Sequence, residues 1–271
     1  CRYILSNQKP FVYLQCNHDD MEKITLNDLK SSVFDYGHGV KYLKHPMLYD
    51  MLIGDLEMKL PNDFKEMMLP KTFSEKKRKK LQTFGDWYVF RMNYIQKKVQ
   101  EAIDDKHWDS VLVLLPKQER LKWLSENSYL IDDDDKFYDL LKFSWTVTEF
   151  PSSGFYGYWD LVQLFYDRGN PQSMMNKEEL EVYSNFPDVV TLYRGVRVED
   201  ELDEENIGLS FTYDKEQAEW FAKRFSKGGG KPTLIEAKVK KSDILSVFED
   251  RGEKEVVVDP EQIEIVKITE L

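Results

Sequence analysis

The sequence predicts an α+β protein with a helical N-terminal region followed by a strand-rich unit flanked by helices. Three observations lead to this. Apolar residues recur at helical spacing through much of 74–184. From Val189 the pattern changes to short β-branched runs separated by glycine-bearing turns. No Gly-x-Gly-x-x-Gly follows a strand and no P-loop is present, which argues against a doubly wound dinucleotide-binding sheet.

In chain order, residues 2–16 read as an extended start. Residues 20–70 read as short helices and turns punctuated by Pro46, Pro61 and Pro70. The stretch 74–103 reads as one long amphipathic helix capped by Ser74, with Leu81, Phe84, Tyr88, Tyr94 and Ile95 in its pattern. An apolar run from Trp108 turns at Pro116 into a helix carrying Leu121, Trp123 and Leu124. Further helices fit 136–147, 157–168 and 176–184, and their tryptophans and tyrosines read as core. Strands are expected at 189–194, 210–212, 233–239, 255–258 and 263–268. Between them, 214–225 reads as a helix capped by Asp214, with Ala218, Phe221, Ala222 and Phe225 on its apolar face. This divides the chain into a mostly helical region, 1–105, and an α+β domain, 106–271.

Composition narrows the function classes. A chain of 271 residues that is 41% hydrophobic and 14% aromatic has ample material for a packed core. No apolar run approaches the roughly 20 residues that span a bilayer. The net charge of -11 weighs against general nucleic-acid affinity, which needs many phosphate-neutralising cations. The basic run Lys76-Lys77-Arg78-Lys79-Lys80 goes against that balance and opens a helix, where it opposes the macrodipole. Cys1 and Cys16 give no zinc spacing and no disulfide framework, and the four histidines are scattered, so no metal is expected and a cytoplasmic setting is. The acidic run Asp132 to Asp135 lacks the alternation of a calcium loop and reads as solvated loop.

Three short segments carry chemistry. Tyr193-Arg194-Gly195 ends a strand in a guanidinium, whose planar fork of donors matches phosphate oxygens; an Arg there also serves as an ordinary ion-pair partner. Ser210-Phe211-Thr212 sets two hydroxyls on one strand face, fit to hold a carboxylate or a ribose hydroxyl, or simply to line a strand. Glu253-Lys254-Glu255 alternates two carboxylates, expected on one strand face, where they repel unless something cationic lies between them. Positive charge developing as a glycosidic bond breaks is one such partner.

In this order the segments resemble the Arg-Ser-Glu class of mono-ADP-ribosyltransferases, the cholera-toxin-like enzymes. That class reads aromatic-Arg, then Ser-Thr-Ser or a variant, then Glu/Gln-x-Glu. The middle segment departs from it at Phe211 and Thr212, and the Arg-to-Ser gap is short. The resemblance covers about 172–271, is densest over 186–271, and has a weaker echo at Trp145-Thr146-Val147-Thr148-Glu149.

The resemblance implies a compact ADP-ribosyltransferase fold of two packed, mostly antiparallel sheets with flanking helices, and NAD as co-substrate. Tyr193, Arg194, Gly195, Ser210, Phe211, Thr212, Phe221 and Glu255 would bind NAD. Arg194 would take its phosphates, and Gly195 would admit the nicotinamide amide to its backbone. Ser210 would orient Glu255, which would stabilise the oxocarbenium. The loop 226–232 is placed either as a phosphate–nicotinamide loop or as a plain flexible turn. Glu253, with Phe248 and Arg251 in the 248–252 loop, would meet the acceptor, and a Glu at 253 favours a protein arginine. Nucleic-acid acceptors and a catalytically idle binding module remain as alternatives. The wider implication is a bacterial toxin or phage-encoded effector, with an antitoxin or chaperone as partner and no membrane.

Overall fold

The computed structural model describes residues 57–62, 74–115, 117–148, 158–198, 207–224, 229–249 and 252–271. Expectations for 2–16 and for most of 20–70 fall outside them. The chain forms two units, Cys1–Leu115 and Pro116–Leu271.

In the first unit the long helix expected over 74–103 is two, α1 (Glu75–Lys80) and α2 (Phe84–Asp104), followed by α3 (Trp108–Leu114). Thr83 causes the break. Its hydroxyl accepts the Asp86 N–H at 3.1 Å, and an Asp86 carboxylate oxygen accepts the Thr83 N–H at 2.9 Å. This reciprocal cap starts a new helix. The extended residues before it pair with 57–62: the Leu60 N–H donates to the Gln82 carbonyl and the Phe84 N–H to that of Met58. Leu60, Leu81 and Trp87 bury their side chains together at this junction. Packing thus overrides a helical pattern that continues through the sequence. In α1 the basic run includes an exposed Lys79–Glu75 pair at 3.0 Å, which offsets little of its dipole conflict.

The second unit begins with helices α4 (Arg120–Asn127), α5 (Asp134–Val147), α6 (Tyr158–Tyr166) and α7 (Lys177–Asn185). Leu121, Leu124, Phe137, Leu141, Leu161 and Phe165 are almost wholly buried. The acidic run at 132–135 is not loop throughout. Asp133 caps α5 by accepting the Lys136 N–H, and Asp134 and Asp135 occupy its first turn, where the helix dipole favours negative charge.

Six strands follow: β1 (Val189–Val198), β2 (Ser210–Thr212), β3 (Lys231–Lys240), β4 (Ile244–Phe248), β5 (Glu255–Val258) and β6 (Ile263–Glu270). Helix α8 (Lys215–Lys223), capped by Asp214, lies between β2 and β3 in the chain. Among the described residues the strands form one antiparallel sheet in the order β4-β5-β2-β1-β3-β6, where two packed sheets were expected. β1 and β2 are joined by one registered pair, Tyr193 with Thr212. β1 and β3 pair along their full length.

Strand alternation assigns the faces. Val190, Leu192, Phe211, Ile235, Ala237, Val247, Val256 and Val258 share one buried cluster, with Val182 and Tyr183 of α7 against it. Tyr193, Gly195, Thr212 and Glu255 point to the other face by register. There α8 lies directly on β1. A Cβ on Gly195 would sit 1.8 Å from the Ala218 carbonyl oxygen and 2.6 Å from the Ala222 nitrogen. Ala218 and Ala222 are fully buried. Gly195 is therefore required by helix–strand contact, a reason different from the ligand approach expected of it.

No described helix is long and apolar enough to cross a membrane. Replacing Gly195 with Ala must push α8 off β1, because the obstructing atoms are backbone. A destabilisation of about 2 kcal/mol is expected, read as a lower denaturation midpoint. An unchanged midpoint would contradict this packing.

Candidate active site

The register sets one row of side chains across four strands. Thr212 lies opposite Tyr193 on one side and Glu255 on the other, and Glu255 lies opposite Phe248. Directly opposed residues project to the same face, with strands about 4.8 Å apart. Two segments of the motif set and one carboxylate of the third thus stand side by side. Over this row opens a cavity of about 180 Å³. Tyr193, Arg194, Gly195, Ser210, Phe211, Thr212, Phe221, Glu253 and Glu255 all line it, and Ala218 of α8 joins them. A larger groove of about 490 Å³ runs beside β6, but its lining from Ile207 to Ile268 is mostly aliphatic, with Lys267 its one charge.

Glu255, the first residue of β5, is 8% exposed. A carboxylate this enclosed requires donors. Trp145 of α5 supplies one, its indole Nε1–H donating to Glu255 Oε1 at 3.1 Å. Trp145 is itself buried and meets Phe165 edge-on. Ser210 was expected to orient Glu255, but its cross-strand partner is Val257, and Thr212 is the hydroxyl residue directly opposite Glu255. The Thr212 hydroxyl accepts the Asp214 N–H at 3.1 Å, which links the row to the cap of α8.

Arg194 leaves β1 toward the face of the buried cluster. Its Nη1 donates to the Ser210 carbonyl, and its guanidinium carbon is 5.9 Å from the Phe211 ring centroid. It thus braces β1 to β2 where they share one pair, while lining the cavity. Gly208, at φ +79°, leaves room for it; a Cβ there would come within 3.0 Å of Nη2.

The segment before β5 differs from expectation. Phe248 is no loop residue: it ends β4, buried beneath the Lys142 ammonium, which is 5.4 Å from its ring centroid. Arg251 lies outside the described residues, as do 226–228 of the 226–232 loop. Gly229 and Gly230 accept hydrogen bonds from Arg197. Glu253 precedes β5 rather than sharing it, because Lys254 takes the left-handed φ of +50°. The two carboxylates are thus not strand-alternate neighbours, yet both line the cavity.

Two contacts to the β2–α8 corner hold this segment. The Tyr213 hydroxyl donates to Glu249 Oε1 at 2.7 Å, and Lys254 Nζ donates to Asp214 Oδ2 at 2.6 Å. Asp214 Oδ1 meanwhile accepts the N–H groups of Glu216 and Gln217. The hydrogen bond with Lys254 holds the Asp214 carboxyl below its ordinary range and raises the Lys254 ammonium. The Glu249 N–H donates to Glu179, a buried carboxylate paired with Lys142 at 2.6 Å.

Trp145, Tyr213, Asp214 and Lys254 in these supporting roles escaped the reading of the sequence. Trp145 stood within the weak Trp-Thr-Val-Thr-Glu echo, the one signal that marked it. Among the described residues, no group of three or more His, Cys, Asp or Glu side chains is placed to hold a metal.

Burial, then the Glu249 carboxylate, raise the Tyr213 phenol above its ordinary value of 10.0. The folded pKa exceeds the unfolded one, so this contribution to stability is full below about pH 10 and is lost as pH rises above it. Lys254 acts with the same sign. Tyr213→Phe is expected to lessen the fall in denaturation midpoint above pH 10, leaving the Lys254 share. An alkaline limb identical to wild type would show that Tyr213 does not contribute to it.

Comparison of the chain with protein-family models, with curated proteins and with solved structures finds no match.

Proposed function

We propose that the second unit is a mono-ADP-ribosyltransferase that takes NAD as substrate, releases nicotinamide and passes ADP-ribose to a macromolecule, with a protein arginine as the favoured acceptor. The observation that carries this reading is convergence. Segments up to 62 residues apart, 193–195, 210–212 and 253–255, line one cavity with an arginine fork, two hydroxyl residues and two carboxylates. A volume of about 180 Å³ is below the roughly 300–1,000 Å³ of whole-ligand pockets, so it suits one end of a dinucleotide.

In this reading the nicotinamide end enters the cavity. The C1′–N glycosidic bond breaks, and its electron pair leaves with nicotinamide. Glu255 faces the positive charge that develops on the ribose. Its enclosure strengthens that attraction, since little water competes. The acceptor nucleophile then bonds to C1′ and gives up a proton, for which Glu253 is the nearby base. Arg194, which lines the cavity, serves the phosphates with its planar fork of donors. The broader fold assignment, an ADP-ribosyltransferase fold, belongs to the same proposal. The role as toxin or phage effector, and an antitoxin or chaperone partner, rest on the family resemblance.

Two substitutions test the division of labour through nicotinamide release with and without acceptor protein. Glu255→Gln keeps the shape and removes the charge, so release is expected to fall by roughly 100-fold or more in both assays. Glu253→Gln is expected to suppress transfer while leaving hydrolysis to water largely in place. Near-normal release in Glu255→Gln would end the reading. Equal loss of hydrolysis in both variants would overturn the separate acceptor role of Glu253.

A further inference from the structure

We infer that Trp145 is a positioning residue for Glu255, acting from a helix that lies outside the three motif segments; the inference rests on the transferase reading. Glu255 begins β5, and the residues just before it turn through left-handed Lys254. The backbone on that side therefore contributes no preceding strand residue to steady the side chain. Trp145 does so from α5. Its Nε1–H meets Oε1 at 3.1 Å, with both side chains buried.

A donor aimed at one carboxylate oxygen restrains the side-chain torsions of a residue that lines the cavity. The indole can do this with accuracy because its own position is fixed by packing. Trp145 lies edge-on to Phe165, with centroids 5.0 Å apart at 81°, and Phe165 is fully buried. One turn earlier on α5, Lys142 pairs with Glu179, which accepts the Glu249 N–H, and its ammonium sits over Phe248. The same helix thus grips the end of β4 and the start of β5, the two ends of the 249–254 segment. Trp145 is not among the cavity-lining residues, so it acts on the reaction through Glu255 and not by touching substrate.

The arrangement predicts a split between kcat and KM. Removing the N–H while keeping the ring should lower kcat and leave KM for NAD unchanged, because the NAD-lining surface is intact. The clean change is site-specific replacement of Trp145 by its benzothienyl isostere, in which sulfur takes the place of N–H; Trp145→Phe serves as the genetic counterpart. Loss of a hydrogen bond to a charged group is expected to reduce kcat for nicotinamide release roughly 10- to 100-fold in the full chain.

A second readout is independent of turnover. The Trp145 indole N–H resonance, assigned by its loss in Trp145→Phe, should move in Glu255→Gln, where the acceptor loses its charge. Wild-type kcat in the isostere, or an indole resonance that ignores Glu255→Gln, would overturn the positioning role while leaving the transferase reading intact. Wild-type protein that releases no nicotinamide from NAD, with or without acceptor, would overturn the transferase reading and the positioning role with it.

Discussion

The candidate site depends on one constraint of hydrogen-bond register: β1 and β2 touch through a single pair, Tyr193 with Thr212. The cavity lies at this pair, lined from β1 by Tyr193, Arg194 and Gly195 and from β2 by Ser210, Phe211 and Thr212. Because Thr212 also pairs with Glu255, the same contact fixes how far the carboxylate stands from β1. Two strand spacings, about 10 Å, separate the backbones of Tyr193 and Glu255. A one-residue slip of β2 would turn Thr212 toward the buried cluster and Phe211 into the row.

Everything around this pair compensates for its brevity. The Arg194 guanidinium reaches the Ser210 carbonyl and adds a side-chain link where the backbone ladder stops. Helix α8 lies against β1 so closely that Gly195 has no space for a Cβ. The cap of that helix, Asp214, is tied to Thr212 and to Lys254. On the far side, α5 meets Glu255 through Trp145. Arg194 is thus both a brace between β1 and β2 and a lining residue of the same cavity.

Much of this was legible before the structure. The expected strand 255–258 is β5, and the three helices of 134–185 fall within about two residues of their expected bounds, because apolar periodicity is strong there. Other features depend on tertiary partners and were not legible. β4 was missed because Ser246 interrupts its short apolar run, although all five of its residues are buried. The helix break at Thr83 needs the 57–62 segment beside it. Glu253 and Glu255 look like strand neighbours, and only the positive φ of Lys254 separates them. Trp145 counted as core, which it is, but its one polar atom points at Glu255. Strand order and register are properties of pairing, so the row itself had no signature in any single segment.

The central claim is that three separated segments form one site for the nicotinamide end of NAD. Chemical-shift mapping on the labelled full chain tests it most directly. Titration with NAD should perturb the amides of Tyr193 to Gly195, Ser210 to Thr212 and Glu255 together, with one shared dissociation constant, and nicotinamide alone should perturb a subset of them. Shifts confined to the groove beside β6, or no saturable shift at these residues, would contradict the account.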